Sequence, residues 1–95
     1  MDMLDQLEAI IHDRQRNPQA GSYTNRLLES GLPAIAQKVG EEAVEVAIAA
    51  LAQDKNAQVD EFADLLYHSL VLMRALDINL HEVRARLQQR HQPPG

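Results

Sequence analysis

The chain has 95 residues, 45% of them apolar, enough for one compact domain that buries only a modest share of its surface, so self-association is expected. Its net charge of −5 comes from 14 acidic against 9 basic residues with no dense Lys/Arg cluster, which argues against a nucleic-acid partner. The absence of cysteine excludes disulfides, thiolate catalysis and Cys-ligated zinc, leaving carboxylates and four histidines as candidate metal ligands.

The N-terminus Met1-Asp2-Met3-Leu4-Asp5 is acidic and lacks the basic and apolar regions of a signal peptide. Nor does any apolar run reach the roughly 20 residues that span a bilayer, so a soluble, unprocessed, cytoplasmic protein without membrane contact is expected. Ala, Leu, Glu, Gln and Arg dominate the long segments, and the chain reads as all-α. Leu4, Leu7, Ile10 and Ile11 recur at helical spacing and predict a first helix that stops before Asn17-Pro18, because a residue preceding proline avoids helical geometry. After a loop over 17–21, Ser22 is an N-cap for a short helix carrying Leu27 and Leu28, which Gly31 ends in the left-handed conformation. Pro33 suits the first turn of a long helix over about 33–53, and the polar Asp54-Lys55-Asn56 breaks it. A second long helix covers about 57–76. Asn79 with Glu82 resembles a capping box that opens a final helix to about Arg90, and the tail over 91–95 should fray. With no repeat or linker, 1–95 reads as a single domain, a bundle of four to five helices assembled as a dimer.

On the first long helix Lys38, Glu41, Glu42 and Glu45 share one stripe, since residues three and four apart lie on one face. That stripe continues into Ile48, Ala49 and Ala52, flanked by Val39, Val44 and Val46, a pattern expected of a buried helix. On the second, Glu61, Asp64 and His68 share a stripe that continues into Val71 and Leu72. A short loop makes the two helices antiparallel and can bring the acids face to face. Ionised carboxylates about 5–6 Å apart repel by about 3 kcal/mol per pair at an effective dielectric near 20, so such a cluster calls for a cation. All-oxygen ligation suits Mg²⁺, with Mn²⁺ as a substitute, and the natural use of such an ion is phosphate chemistry. Each acid taken singly reads as a solvated surface charge; the two pairs at three-residue spacing with apolar continuations do not.

Other residues carry more than one reading. Gly40 costs about 1 kcal/mol within a helix, which close approach of a helix or substrate would explain and a tolerated surface glycine would equally fit. Lys38 meets a phosphate or pairs with Glu42. His68 orients the Asp64 carboxylate, contacts substrate, or is a hydrogen-bonded core residue. Ser22, Tyr23 and Thr24 could offer hydroxyls and helix N-terminal amides to phosphate, although capping alone accounts for Ser22. His12, His81 and His91 show no metal-ligand spacing.

Glu41-Glu42-Ala43-Val44-Glu45, followed after fifteen residues by Glu61-Phe62-Ala63-Asp64, resembles the acidic signature of the all-α nucleoside triphosphate pyrophosphohydrolases, the MazG-like superfamily. Within it, Gly21-Ser22-Tyr23-Thr24 with Leu27-Leu28, Lys38-Val39-Gly40-Glu41-Glu42-Ala43 and Ala63-Asp64-Leu65-Leu66-Tyr67-His68 resemble the phosphoribosyl-ATP pyrophosphohydrolases of histidine biosynthesis. The likeness runs from the first helix to the last. It implies hydrolysis of 1-(5-phosphoribosyl)-ATP to 1-(5-phosphoribosyl)-AMP and pyrophosphate by a Mg²⁺-dependent helical homodimer. It further implies Glu42, Glu45, Glu61 and Asp64 as metal ligands, Glu41 as an added acid holding the attacking water or a second ion, and Lys38 as a phosphate contact. The cysteine-ligated zinc cyclohydrolase fused to this activity in many organisms is not expected in a chain without cysteine. Two alternatives stand beside this reading: a housekeeping hydrolase of deoxynucleoside triphosphates using the same acids, and a non-catalytic dimerisation module whose acidic stripe binds a basic partner.

Overall fold

The computed structural model describes residues 2–92, and over them the chain is helical with no strand: α1 (Met3–Arg16), α2 (Tyr23–Glu29), α3 (Leu32–Ala52), α4 (Lys55–Ala75) and α5 (Leu80–Arg90). Polar caps set most of these boundaries by taking up helix amides that have no partner within the helix. Asp2 accepts from the Asp5 amide at 3.0 Å, and Asp54 accepts from the Ala57 amide at 3.0 Å. Asn79 and Glu82 form the capping box anticipated from their spacing, with both hydrogen bonds at 2.9 Å. Gly31 has φ +93°, the left-handed geometry that closes α2 and redirects the chain into α3.

Two starts differ from the sequence reading. Helix α3 begins at Leu32, a residue before Pro33, which then occupies a first-turn position where no amide hydrogen is needed. Helix α4 begins at Lys55, because Asp54 is an N-cap and Lys55-Asn56, read above as part of a break, form the first turn. Of the tail expected to fray, His91 caps α5 and Gln92 follows it, while residues 93–95 lie outside the described residues.

Helices α3 and α4, 21 residues each, form an antiparallel hairpin across Gln53-Asp54. Its bend is tied by Gln58 Nε2, which donates to the Ala49 carbonyl at 3.1 Å and the Gln53 carbonyl at 3.0 Å. Ala49 is fully buried, a small side chain where α4 crosses closely. The core joins Ile11 of α1, Leu27 of α2, Ile35 of α3, Leu70 and Val71 of α4, and Leu80 of α5. Helix α5 is fastened to α1 largely by polar contacts: Arg84 reaches Asp5 at 2.5 Å and Asp2 at 3.2 Å, and the Leu80 amide donates to Glu8 at 2.5 Å. The Arg84 guanidinium holds the Asp5 carboxyl below the usual carboxylate range.

The second half of α3, expected to be buried by its apolar sequence, is instead largely uncovered within the chain. The hairpin contributes to the core near the start of α3 and the end of α4, so its loop end extends beyond the other helices. Val44, Ile48 and Leu51 of α3 and Val59, Phe62 and Leu66 of α4 are exposed there, Leu51 by 90% and Phe62 by 54%. Each trio recurs at helical spacing and so shares a face of its helix. The apolar pattern was real, but none of the described residues covers it.

Candidate active site

The hairpin brings acids from both helices together. Candidate ligand oxygens of Glu42 and Glu45, one turn apart on α3, and of Glu61 on α4 all lie within 4.8 Å of one another. Glu42 is 5% exposed. One of its oxygens, Oε1, meets Lys38 Nζ at 3.3 Å, an ion pair along one face of α3. The other, Oε2, is buried without a hydrogen-bond partner, as is Glu61 Oε2. Buried carboxylate oxygens left unpartnered are costly, and oxygens from three acids around one point form the donor set of a hard divalent cation. The residues present therefore fit such an ion.

Crowding also marks Glu45. Its carboxyl is pushed above its ordinary value of 4.5, first by the Glu42 carboxylate beside it, then by burial and by Glu61. A carboxyl raised in the folded state binds its proton more tightly there than in the unfolded chain. Its favourable contribution is full below the unfolded value of 4.5 and disappears as pH rises through the raised folded value. Glu45→Gln should therefore raise the melting temperature of chelated protein at pH 8 and leave it nearly unchanged at pH 4. Equal shifts at both pH values would contradict this electrostatic account.

The remaining residues singled out from the sequence take other places. Asp64 is exposed and stands outside the three-acid group, one turn beyond Glu61 on α4. Glu41, also exposed, accepts from Gln37 at 3.1 Å and lies 4.0 Å from Lys38. Lys38 thus sits between Glu41 and Glu42, and its ammonium is held above the ordinary lysine range, chiefly by Glu42 against the opposing effect of burial, with smaller contributions from Tyr23 and Glu41. His68 is buried, and its Nδ1 lies 2.7 Å from the backbone carbonyl of Asp64. Of the readings given for His68, the hydrogen-bonded core residue fits: four residues on, an α-helix presents the ring to the Asp64 backbone carbonyl and not to its carboxylate. The other ring nitrogen, Nε2, lies 3.0 Å from the Tyr23 hydroxyl. Ser22 accepts from the Asn25 amide at 3.1 Å as a cap, and Thr24 Oγ1 bonds the Tyr67 hydroxyl. All three hydroxyls of Ser22-Tyr23-Thr24 are therefore already engaged, and α2 has only seven residues.

Among the described residues Gly40 has no neighbour within 4 Å of where a Cβ would stand, so none of the described helices demands glycine there. It borders a surface depression of 680 Å³ lined by Glu41, Val44, Glu45 and Ile48, beside the acidic cluster. The sequence reading missed Asn25. Buried in α2, Asn25 accepts from the Gln19 amide at 2.9 Å and donates to the Arg14 carbonyl at 2.7 Å, fastening the 17–21 loop. The available signal was an amide side chain inside a short helix, where Asn is a poor helix former unless its polar group has work elsewhere.

The fold and this convergence define a class: an all-helical protein with a carboxylate centre shared by an antiparallel helix pair. The chain belongs to the phosphoribosyl-ATP pyrophosphohydrolase family, whose model matches residues 4–91. It is 52% identical over 90 residues to a phosphoribosyl-ATP pyrophosphatase of Pyrobaculum aerophilum, covering 93% of this chain and 94% of that protein. Against the corresponding protein of Pyrobaculum islandicum it is 50% identical over 91 residues, covering 94% and 95%. It is also 49% identical over 89 residues to the histidine biosynthesis bifunctional protein HisIE of Xanthomonas axonopodis pv. citri, of which it spans 43%.

Proposed function

We propose that the chain hydrolyses 1-(5-phosphoribosyl)-ATP to 1-(5-phosphoribosyl)-AMP and pyrophosphate, a step of histidine biosynthesis, with Mg²⁺ held by Glu42, Glu45 and Glu61. The observation that carries the metal site is the pair of buried, unpartnered oxygens, Glu42 Oε2 and Glu61 Oε2, within one three-acid cluster. Membership of the family supplies the substrate. When bound, Mg²⁺ supplies positive charge against the triphosphate and against the negative charge that develops on departing pyrophosphate.

The chain's own residues position and balance that charge. Glu42 and Glu45 come from one rigid helix and Glu61 from its partner, so the hairpin fixes their separation. Lys38 offers a second positive charge to a phosphate at the entrance to the cluster, held in place by Glu42. Asp64, a turn from Glu61 and open to solvent, would add to the acidic set from the rim, and Glu41 would hold the attacking water and take its proton. That water's oxygen joins the nucleotide phosphate or the leaving pyrophosphate as the bridging P–O bond breaks. The homodimer is part of this proposal: Val44, Ile48 and Leu51 with Val59, Phe62 and Leu66 offer apolar faces for a second copy.

A turnover assay with pyrophosphate as readout tests the substrate. Phosphoribosyl-ATP should be cleaved with Mg²⁺, cleavage should stop with excess EDTA, and common nucleoside and deoxynucleoside triphosphates should be poor substrates. Faster turnover of an ordinary deoxynucleotide would overturn the assignment.

A further inference from the structure

The hydrogen bonds around His68 fix a direction. Its Nδ1 lies 2.7 Å from the Asp64 carbonyl, which can only accept, so Nδ1 carries the proton. In the neutral ring Nε2 then has a lone pair and no hydrogen, and at 3.0 Å from Nε2 the Tyr23 hydroxyl must be the donor. The ring has no freedom to reverse this: it is 5% exposed and packed edge-on against Tyr67, with centroids 5.0 Å apart. Having given its one hydrogen to His68, the Tyr23 oxygen has only lone pairs to offer. Tyr23 itself is 43% exposed and is tied through His68 to the turn of α4 that carries Asp64, one turn beyond Glu61.

Phosphate oxygens are acceptors, so an acceptor-only tyrosine suits them badly, and the hydroxyl reading given above for Tyr23 fails on this geometry. We infer that Tyr23 is a specificity-determining residue that accepts a hydrogen bond from a ribose hydroxyl of the substrate, with His68 as the positioning residue that commits its proton. The inference rests on the proposed reading of the site as one for a phosphorylated riboside. Substrate recognition is then divided: Lys38 and the acid-held cation meet phosphate, whereas the Asp64 carbonyl, His68 and Tyr23 form a relay that presents a lone pair to the sugar. A site built around a hydroxyl donor rejects a ligand lacking it, since the tyrosine is left facing no donor.

Binding separates the two ligand parts. Dissociation constants for phosphoribosyl-ATP and for inorganic triphosphate, which has no sugar, are measured by calorimetry with Ca²⁺ on wild type and Tyr23→Phe. The variant should lose roughly tenfold in affinity for phosphoribosyl-ATP and bind inorganic triphosphate as wild type does. Parallel losses for both ligands would assign Tyr23 to phosphate, and unchanged affinity for both would remove it from the substrate; either result overturns the inference. Nitrogen-15 NMR of the His68 ring gives a second reading that needs no variant: the Nδ1-protonated form is expected, and an Nε2-protonated neutral ring would overturn the relay. Whether phosphoribosyl-ATP is turned over by wild type is read separately, so failure of the reaction and failure of the sugar contact are distinguishable.

Discussion

Glu42→Gln is expected to lower pyrophosphate release from phosphoribosyl-ATP by about 100- to 1000-fold while leaving the protein folded. The substitution keeps the side chain's shape and removes one charge from the most buried of the three acids. Two stability effects then oppose each other in metal-free protein. Lys38 loses an ion pair, but its side chain is 37% exposed, and pairs reaching that far into solvent contribute at most about 1 kcal/mol. Against this, Glu45 and Glu61 lose a like charge within 4.8 Å. The melting temperature without metal should therefore change little or rise. With Mg²⁺ the two proteins should part: wild type gains stability by binding an ion that the unfolded chain does not hold, and the variant gains little. Full turnover in Glu42→Gln would remove this residue from the site. Lost turnover with wild-type stabilisation by Mg²⁺ would show that it acts in some way other than holding the ion.

Ile48→Glu should convert the proposed dimer into monomers, weakening association by at least about a hundredfold. Ile48 is 51% exposed within one chain and lies between Val44 and Leu51 on the uncovered face of α3. A glutamate there is tolerated by the monomer, because solvent reaches the position, but is buried without a partner in any assembly that covers this face. Sedimentation velocity should give a slower species for the variant, with helical content unchanged by circular dichroism. If Ile48→Glu sediments as wild type does, the second copy is absent or binds elsewhere. The same face borders the depression lined by Glu41 and Glu45, so loss of assembly should also reduce turnover.

Much of this architecture was legible in the sequence because the signals were local. Leu4, Leu7 and Ile11 on α1, Asn79 with Glu82 at the start of α5, and Gly31 before α3 each follow rules that operate within a few residues. The acids were legible for the same reason: Glu42 and Glu45 are a helical turn apart, and a two-residue connection brings Glu61 alongside. What escaped depended on contacts distant in sequence. Asp64 shares a stripe with Glu61, yet of the two only Glu61 lies with Glu42 and Glu45, a choice that depends on how α3 crosses α4. His68 paired with Tyr23 across 45 positions, and Asn25 with Arg14 and Gln19, by bonds that no periodicity announces. The exposed half of α3 shows a different limit. Apolar periodicity says that a helix face will be covered, and says nothing of whether the same chain or another copy covers it.

Crystals grown with Mn²⁺ in place of Mg²⁺ test the cluster of Glu42, Glu45 and Glu61 most directly. Anomalous scattering should show an ion between α3 and α4 with carboxylate oxygens of all three residues in its coordination shell. An ordered manganese held by other acids, or none at this cluster under conditions that support turnover, would contradict it.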